Sequence, residues 1–352
     1  MSVYVLGAGA MGSLVAHELA LGGKLVPTLL LKSRRRLEAF HNENSTISVV
    51  RPLGSESVSS KVKLNALVGP PVGKDGKIGH IDNLIISTKT YATFHALQPY
   101  LANISKDTNV LILQNGMGMV SALRKRFWSQ PHHVPNIYQA ISTHGAYKLT
   151  PTSIHHVGLG SLAISHIPDS SSPEISATEH PQLIQAVLDA SALNATYKPY
   201  DEFLLIQMEK LVVNACINPL TAVLDCFNGE LLNGKHIVQM MKRVVKECVD
   251  CFREEYPQLD DIPTSSTYLD YDRLLATVLE ICKLTSQNSS SMREDLRSLN
   301  TTEIDWINGY IVGLGYKHRI PTPMNKTLVN LVTTKLSIER SRESLALEKS
   351  VF

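Results

Sequence analysis

Lys210, Asn214 and Asn218 fall at i, i+4 and i+8 in the run Glu209-Lys-Leu-Val-Val-Asn-Ala-Cys-Ile-Asn-Pro-Leu-Thr-Ala-Val223. That spacing stacks an ammonium and two carboxamides on one face of a single helix. Every residue between them is apolar. Polar groups in such surroundings are costly when buried without partners, so the face reads as lining a ligand cleft or a polar network. The alternative is an ordinary wet stripe, but solvated stripes carry mixed Glu and Lys rather than uncharged Asn. Pro219 follows directly and predicts a bend near Asn218.

Other segments carry groups of the same kind. Val110-Leu-Ile-Leu-Gln114 runs into Asn115-Gly-Met-Gly118. An Asn followed by Gly-x-Gly at a strand end lets the backbone fold closely round a ligand, although Asn-Gly also favours a plain turn. Leu84-Ile-Ile-Ser-Thr88 ends in Lys89 in the same manner. Further on, Asn288-Ser-Ser-Ser-Met292 leads into a helix, and Thr301-Thr-Glu303 with Asp305 looks like a helix start carrying acids near its positive end. Read locally, Glu303 is a capping acid.

The chain opens with a binding element. Ser2-Val-Tyr-Val-Leu6 is a short apolar strand, followed by Gly7-Ala8-Gly9-Ala10-Met11-Gly12 and then by the helical Ser13-Leu-Val-Ala-His-Glu-Leu-Ala-Leu21. Strand, G-x-G-x-x-G and helix form the dinucleotide fingerprint in the context it requires. Gly7 permits a tight turn, Gly9 lets the backbone approach a pyrophosphate, and Gly12 lets the helix lie close on the strand. The helix start then offers amide donors to the phosphates.

An NAD enzyme should carry an acid about 20 residues beyond the glycines, on the adenine ribose. Here Thr28-Leu-Leu-Leu31 ends in Lys32-Ser-Arg-Arg-Arg36. Cations complement a 2′-phosphate that a carboxylate would repel, so NADP(H) is expected, with Lys32 and Arg34 as the phosphate contacts. The competing reading makes this run the solvated start of the next helix.

Strand signals at 2–6, 25–31, 46–50, 84–87, 109–113, 137–142 and 161–165 alternate with helical stretches at 12–21, 34–43, 91–103 and 117–128. This order predicts an α/β Rossmann domain with a doubly wound, mostly parallel sheet. Residues 51–80 read as an irregular exposed excursion and 168–181 as a surface loop. Beyond Tyr200 helical spacing dominates, at 201–224, 234–256, 269–284, 291–313 and 323–340. The expected division is a Rossmann domain over 1–200 and an all-α domain over 201–352.

Composition limits the functional classes. The 352 residues suit two domains, and 43% hydrophobic with 19% charged residues is ordinary for a globular protein. A net charge of +2 gives no electrostatic case for nucleic acid or a membrane surface. No apolar run is expected to span a bilayer, and the fingerprint leaves no room before it for a signal peptide, so a cytoplasmic location is expected. Five dispersed cysteines do not suggest a disulfide framework. Cys248-Val-Asp-Cys251 lies in a helical pattern without a second pair, and His132-His133 and His155-His156 form no H-E-x-x-H, so no metal site is expected.

Taken in order, these motifs resemble the ketopantoate reductase (2-dehydropantoate 2-reductase) family. The resemblance rests on Gly7-Ala-Gly-Ala-Met-Gly12, Gln114-Asn-Gly-Met-Gly118, Lys210-Leu-Val-Val-Asn-Ala-Cys-Ile-Asn-Pro-Leu-Thr-Ala222, Asn228-Gly-Glu-Leu231, Ser290-Ser-Met292 and Thr302-Glu-Ile-Asp-Trp-Ile-Asn-Gly309. It implies NADPH-dependent reduction of 2-dehydropantoate to (R)-pantoate, towards pantothenate and coenzyme A, in a cleft between two domains. It makes the residue matching Lys210 the acid and the one matching Glu303 the ligand of the substrate's distal hydroxyl. It adds Asn115, Asn214, Asn218, Asn228 and Ser291 as substrate contacts, with Asn288 in the same local pattern, and Lys89 as a cofactor contact. Glu303 would thereby reject 2-keto acids lacking that hydroxyl. The longer stretches at 51–80 and 168–181 depart from the compact bacterial pattern without interrupting a motif. A monomer or homodimer acting on a small molecule is the expected form. Two rivals stay open: a related NADP-dependent oxidoreductase acting on another 2-keto or 3-hydroxy acid, and a catalytically silent NADP(H)-binding sensor.

Overall fold

Short apolar β-runs between amphipathic helices build a sheet with both faces covered, and the computed structural model has this architecture in its first half. It describes all residues except 1, 22, 24, 55, 74–75, 131–132, 170–179 and 351–352, and the side chains of 349–350. In chain order the first elements are β1 (Val3–Leu6), α1 (Ala10–Leu21), β2 (Thr28–Leu30), α2 (Arg34–Asn42), β3 (Thr46–Leu53), β4 (Glu56–Lys63), β5 (Asn65–Leu67) and β6 (Asn83–Ile86). There follow α3 (Thr93–Leu97), β7 (Asn109–Leu113), α4 (Met119–Phe127), β8 (Asn136–Ser142), β9 (Gly145–Thr150), β10 (Ser153–Gly158), β11 (Leu162–His166), α5 (Gln182–Asp189) and β12 (Ala195–Tyr197). The remainder is helical: α6 (Tyr200–Leu224), α7 (Ile237–Glu255), α8 (Ser265–Tyr268), α9 (Tyr271–Leu284), α10 (Ser291–Arg297), α11 (Asn308–His318) and α12 (Pro323–Ser350).

The main sheet has the order β12-β11-β8-β7-β6-β1-β2-β5. All neighbours in it are parallel except β8 and β11. Its central strands are buried along almost their whole length, as a sheet covered on both faces requires. The Rossmann expectation holds, with one correction to its third strand. Residues 46–53 do not join this sheet; β3 heads a second sheet of order β4-β3-β10-β9. One edge strand of the main sheet is β5, which falls inside the stretch read as irregular. That stretch begins as a hairpin, with Leu53 opposite Glu56 and Gly54 at φ +60° between them. Its strand Glu-Ser-Val-Ser-Ser-Lys-Val-Lys is mostly exposed, so hydrophobic periodicity gives no sign of it. Of the loop expected at 168–181, all but its ends lies outside the described residues.

The second sheet explains an oddity of α1. Every residue from Gly12 to Leu19 is buried, because α1 packs against β1 on one side and β3, β4, β9 and β10 on the other. His17 and Glu18 are buried with it. His17 Nδ1 lies 2.7 Å from Glu18 Oε1, which also accepts from Arg51 of β3. Burial pushes the Glu18 carboxyl up, but the His17 and Arg51 contacts outweigh it and hold the group below its ordinary value.

The described contacts divide the chain into two units, Met1–Gln114 with Val120–Phe203 and Asn115–Met119 with Leu204–Phe352. In the second unit α6 is central. By length and mean hydropathy it could cross a bilayer, contrary to expectation, yet 78% of its apolar window is buried inside the protein. It is a core helix, and it continues past Pro219 to Leu224 rather than ending there. The run read as one helix at 291–313 is α10, a 3₁₀ turn at Ile304–Trp306 and α11.

Candidate active site

In the first unit the fingerprint is shaped by the turn after β6. Gly7 sits at φ +110°, and a Cβ there would lie 2.5 Å from the Thr88 nitrogen. A Cβ at Gly12 would fall 2.1 Å from Ser87 Oγ and 2.2 Å from the Gly7 carbonyl. Ser87 Oγ donates to that carbonyl at 2.7 Å, which locks glycine loop and turn together. Gly9 differs: it is exposed, and a Cβ would meet nothing within 4 Å. The absence of a Cβ there is not needed for the protein's own packing, and it leaves the backbone open to the close approach of a ligand. Ala8 and Met11 pack against the core, and Ala10 opens α1. Lys89, half-buried, precedes the 3₁₀ turn Thr90–Ala92. Gln114 Nε2 holds the same region by donating to Thr93 Oγ1 at 2.7 Å and to the Thr88 carbonyl at 2.5 Å.

Lys32 and Arg34 are exposed beyond β2. Arg34, Arg35 and Arg36 form the first turn of α2, with no acid among them, and Ser33 caps it by accepting from the Arg36 nitrogen. Three cations at the positive end of a helix are unfavourable by themselves and favourable around an anion. The open Gly9 and this basic turn together fit a dinucleotide bearing an extra phosphate.

In the second unit Lys210 is half-buried on α6. Burial pushes its ammonium down to about 8, and the Glu303 carboxylate opposes that shift. Asn214 is half-buried one turn on, and Asn218 is 8% exposed. Glu303 is only 5% exposed. It occupies the N-cap position of Ile304–Trp306, but its side chain makes no capping bond. Instead its Oε2 accepts from Asn115 Nδ2 at 3.3 Å. The local capping reading of Glu303 is therefore corrected.

The Asn115 loop is also more than a plain turn. Met117 donates its N–H to the Trp306 carbonyl at 3.1 Å. A Cβ at Gly116 (φ +84°) would lie 2.3 Å from that same oxygen, and one at Gly118 would lie 2.9 Å from the Tyr310 ring. Gly116 faces the turn that follows Glu303 and Gly118 faces α11, so the loop docks closely on both.

Asn228 is 8% exposed, its Nδ2 donates to Thr285 Oγ1 at 2.9 Å, and its Oδ1 is buried without a hydrogen-bond partner among the described residues. Its N–H donates to the Asn288 carbonyl, while the Asn288 side chain belongs to an exposed residue. Ser291 is exposed at the first position of α10. The structural partner in that motif is its neighbour: Ser290 caps α10 through Arg293 N and shares a 2.7 Å hydrogen bond with Thr221 Oγ1. Thr221 in turn donates to the Ile217 carbonyl at 2.8 Å. Thus Lys210, Asn115 and Glu303 form one cluster, and Ser290 with Thr221 ties α10 to α6. Sequence spacing missed Thr221, although it lies three residues beyond Asn218 on the same face.

Residues 3–169 match the model of the family described as ketopantoate reductase PanE/ApbA, and residues 202–336 match that of its C-terminal domain. The chain belongs to the ketopantoate reductase family. It is 37% identical to a probable 2-dehydropantoate 2-reductase of Schizosaccharomyces pombe, over 97% of this chain and 98% of that one. It is 31% identical to the 2-dehydropantoate 2-reductase of Saccharomyces cerevisiae, over 97% and 96%. Among solved structures, a D-mandelate dehydrogenase in ternary complex with NADH and anilino(oxo)acetate superposes with a TM-score of 0.77 at 25% identity, over 96% of this chain and 99% of that one. Ketopantoate reductases are NADPH-dependent, and the first turn of α2 carries three arginines and no acid. Among the described residues no cluster of His, Cys, Asp or Glu could hold a metal ion.

Proposed function

We propose that this protein reduces 2-dehydropantoate to (R)-pantoate with NADPH, a cytoplasmic step towards pantothenate and coenzyme A. The observation that carries the reading is Lys210: a single ammonium on a face otherwise made of carboxamides, lowered to about 8 and close enough to Glu303 to feel its charge. When bound, NADPH would supply the hydride for the ketone carbon. Lys210 stabilises the negative charge that develops on the carbonyl oxygen and gives that oxygen its proton, leaving a neutral amine. Asn115, Asn214, Asn218, Asn228 and Ser291 orient the carboxylate and hydroxyls without cancelling the lysine's charge. Glu303 accepts a hydrogen bond from the distal hydroxyl. In the first unit Gly7 to Gly12 receive the pyrophosphate, Lys32 and Arg34 the 2′-phosphate, and Lys89 a further cofactor contact; Asn115, in the second unit, completes the cofactor contacts.

A second reading is reduction of another 2-keto acid, favoured by the likeness to a dehydrogenase whose complex contains anilino(oxo)acetate. NADPH oxidation by the purified protein decides between them. With ketopantoate, turnover well above that with 2-keto acids lacking the distal hydroxyl is expected. Equal or greater turnover on those acids transfers the assignment to the second reading. NADPH binding with no turnover on any of them leaves only a silent sensor.

Charge reversal at Lys32 and Arg34 tests the cofactor half. Each cation contributes a charge-assisted contact to the 2′-phosphate, so Lys32→Glu with Arg34→Glu should cut the NADPH-over-NADH preference by about 10²-fold. The ratio of kcat/KM values for the two cofactors is the measurement. An unchanged ratio places the phosphate elsewhere.

A further inference from the structure

Pro219 leaves a defect in α6 that the chain repairs from a distance. A helix interior proline has no N–H for the carbonyl four residues back, and here that carbonyl belongs to Ala215. Ala215 is fully buried between Asn214 and Asn218, where no solvent can replace the missing donor. Asn308 Nδ2 donates to the Ala215 carbonyl at 3.0 Å. The same amide donates to Asn325 Oδ1 at 3.0 Å, so both of its hydrogens are used. Asn325 Nδ2 donates to Glu247 Oε2 at 2.8 Å, and the carboxylate of Glu247 also accepts the backbone N–H groups of Met324 and Asn325 at the start of α12. Asn308 and Asn325 are fully buried and Glu247 nearly so.

The position of Asn308 gives this network a functional meaning. It opens α11 directly after the turn Ile304–Trp306, whose first flank is Glu303 and whose Trp306 carbonyl holds the Asn115 loop. Its bond to Ala215 fastens that segment to the helix bearing Lys210, Asn214 and Asn218.

We infer that Asn308 is a positioning residue of the active site, riveting the Glu303 turn to the Lys210 helix through the carbonyl that Pro219 leaves without a donor. The inference rests on the roles proposed above for Lys210 and Glu303, and on nothing in the first unit. A merely structural role would repair α6 and no more.

Asn308→Leu, Pro219→Ala and the double variant separate the two roles. Pro219→Ala supplies a backbone N–H for the Ala215 carbonyl, so it should recover most of the thermal stability lost in Asn308→Leu. It cannot restore the link to the Glu303 turn. The ketopantoate KM should therefore stay raised about tenfold in both Asn308→Leu and the double variant, with the NADPH Kd within about twofold of the parent. A KM that recovers together with Tm, or that never rises, overturns the inference. If Asn308→Leu does not fold, the double variant alone decides. If the parent enzyme fails to turn over ketopantoate, the functional reading falls, and the inference is judged on Lys210 directly. Acetic anhydride labelling of its amine against pH, read by mass spectrometry, should then show a midpoint displaced by about half a unit or more in the double variant. An unmoved midpoint overturns it.

Discussion

Lys210→Ala should lower kcat for ketopantoate reduction by about 10³-fold, while the NADPH Kd should change by less than about twofold. The reason is the division of labour between the units. The glycine loop and the basic start of α2 belong to the first, and Lys210 to the second. In the proposed reaction, loss of the ammonium removes both the charge that stabilises the alkoxide and the proton it needs. The same group sets the pH dependence. Its ammonium is lowered to about 8, so kcat/KM for reduction should fall as pH rises through that value, with the slope of one proton. Oxidation of pantoate needs the neutral amine and should rise over the same range. Stability follows the opposite course to reduction. Between about 8 and the ordinary lysine value of 10.5 the unfolded chain keeps a proton that the folded protein has released, so the Lys210 contribution to stability increases with pH. Loss of reduction above pH 8 is thus not a symptom of unfolding at this site. Turnover of Lys210→Ala within a few-fold of the parent, or a reduction profile flat from pH 7 to 9, means that another group is the acid.

The residues that reveal this site in the sequence are those whose spacing is local. Lys210, Asn214 and Asn218 share a helix face because four residues make about one turn, and no tertiary knowledge is needed to see it. The glycine fingerprint is equally local, since strand, turn and helix are consecutive. The all-helical second domain is legible because its core helices repeat apolar residues at helical spacing.

Contacts made at a distance are not legible in the same way. Glu303 reads as a capping acid because its neighbours Thr302 and Asp305 suit a helix start; only the fold brings Asn115 Nδ2 to its carboxylate. Asn308 looks like any polar residue beside a glycine. Its importance comes from a carbonyl 93 positions earlier in the chain, orphaned by Pro219, and no side-chain pattern records such a group. The second sheet escaped for a related reason. β4 is polar and exposed on most of its length, and its order comes from pairing with β3 rather than from an apolar face. That pairing matters to function indirectly. β3 and β4 bury the far side of α1 and satisfy His17 and Glu18, so the helix proposed to meet the pyrophosphate is held on two sides.

Glu303→Gln should raise the KM for ketopantoate by about 10²-fold and leave the KM for 3,3-dimethyl-2-oxobutanoate, which differs only in lacking the distal hydroxyl, nearly unchanged. A buried carboxylate that accepts from a substrate hydroxyl contributes a charge-assisted bond, and glutamine retains only a neutral acceptor in its place. The residue suits the comparison because Asn115 Nδ2 already contacts its Oε2, and the isosteric amide can keep an oxygen facing that donor. Loss of the docked loop is therefore not the expected cause of a change. The substitution has a second consequence with a definite sign. The Glu303 carboxylate raises the Lys210 pKa against the pull of burial, so its removal lets burial act with less opposition. The limb of the reduction profile near pH 8 should move to lower pH, and kcat at pH 7 should hold better than kcat at pH 8. A merely destabilised fold would weaken both substrates alike and leave the midpoint in place. Parallel losses on the two keto acids would remove Glu303 from specificity, and an unmoved limb would remove it from the electrostatics of Lys210.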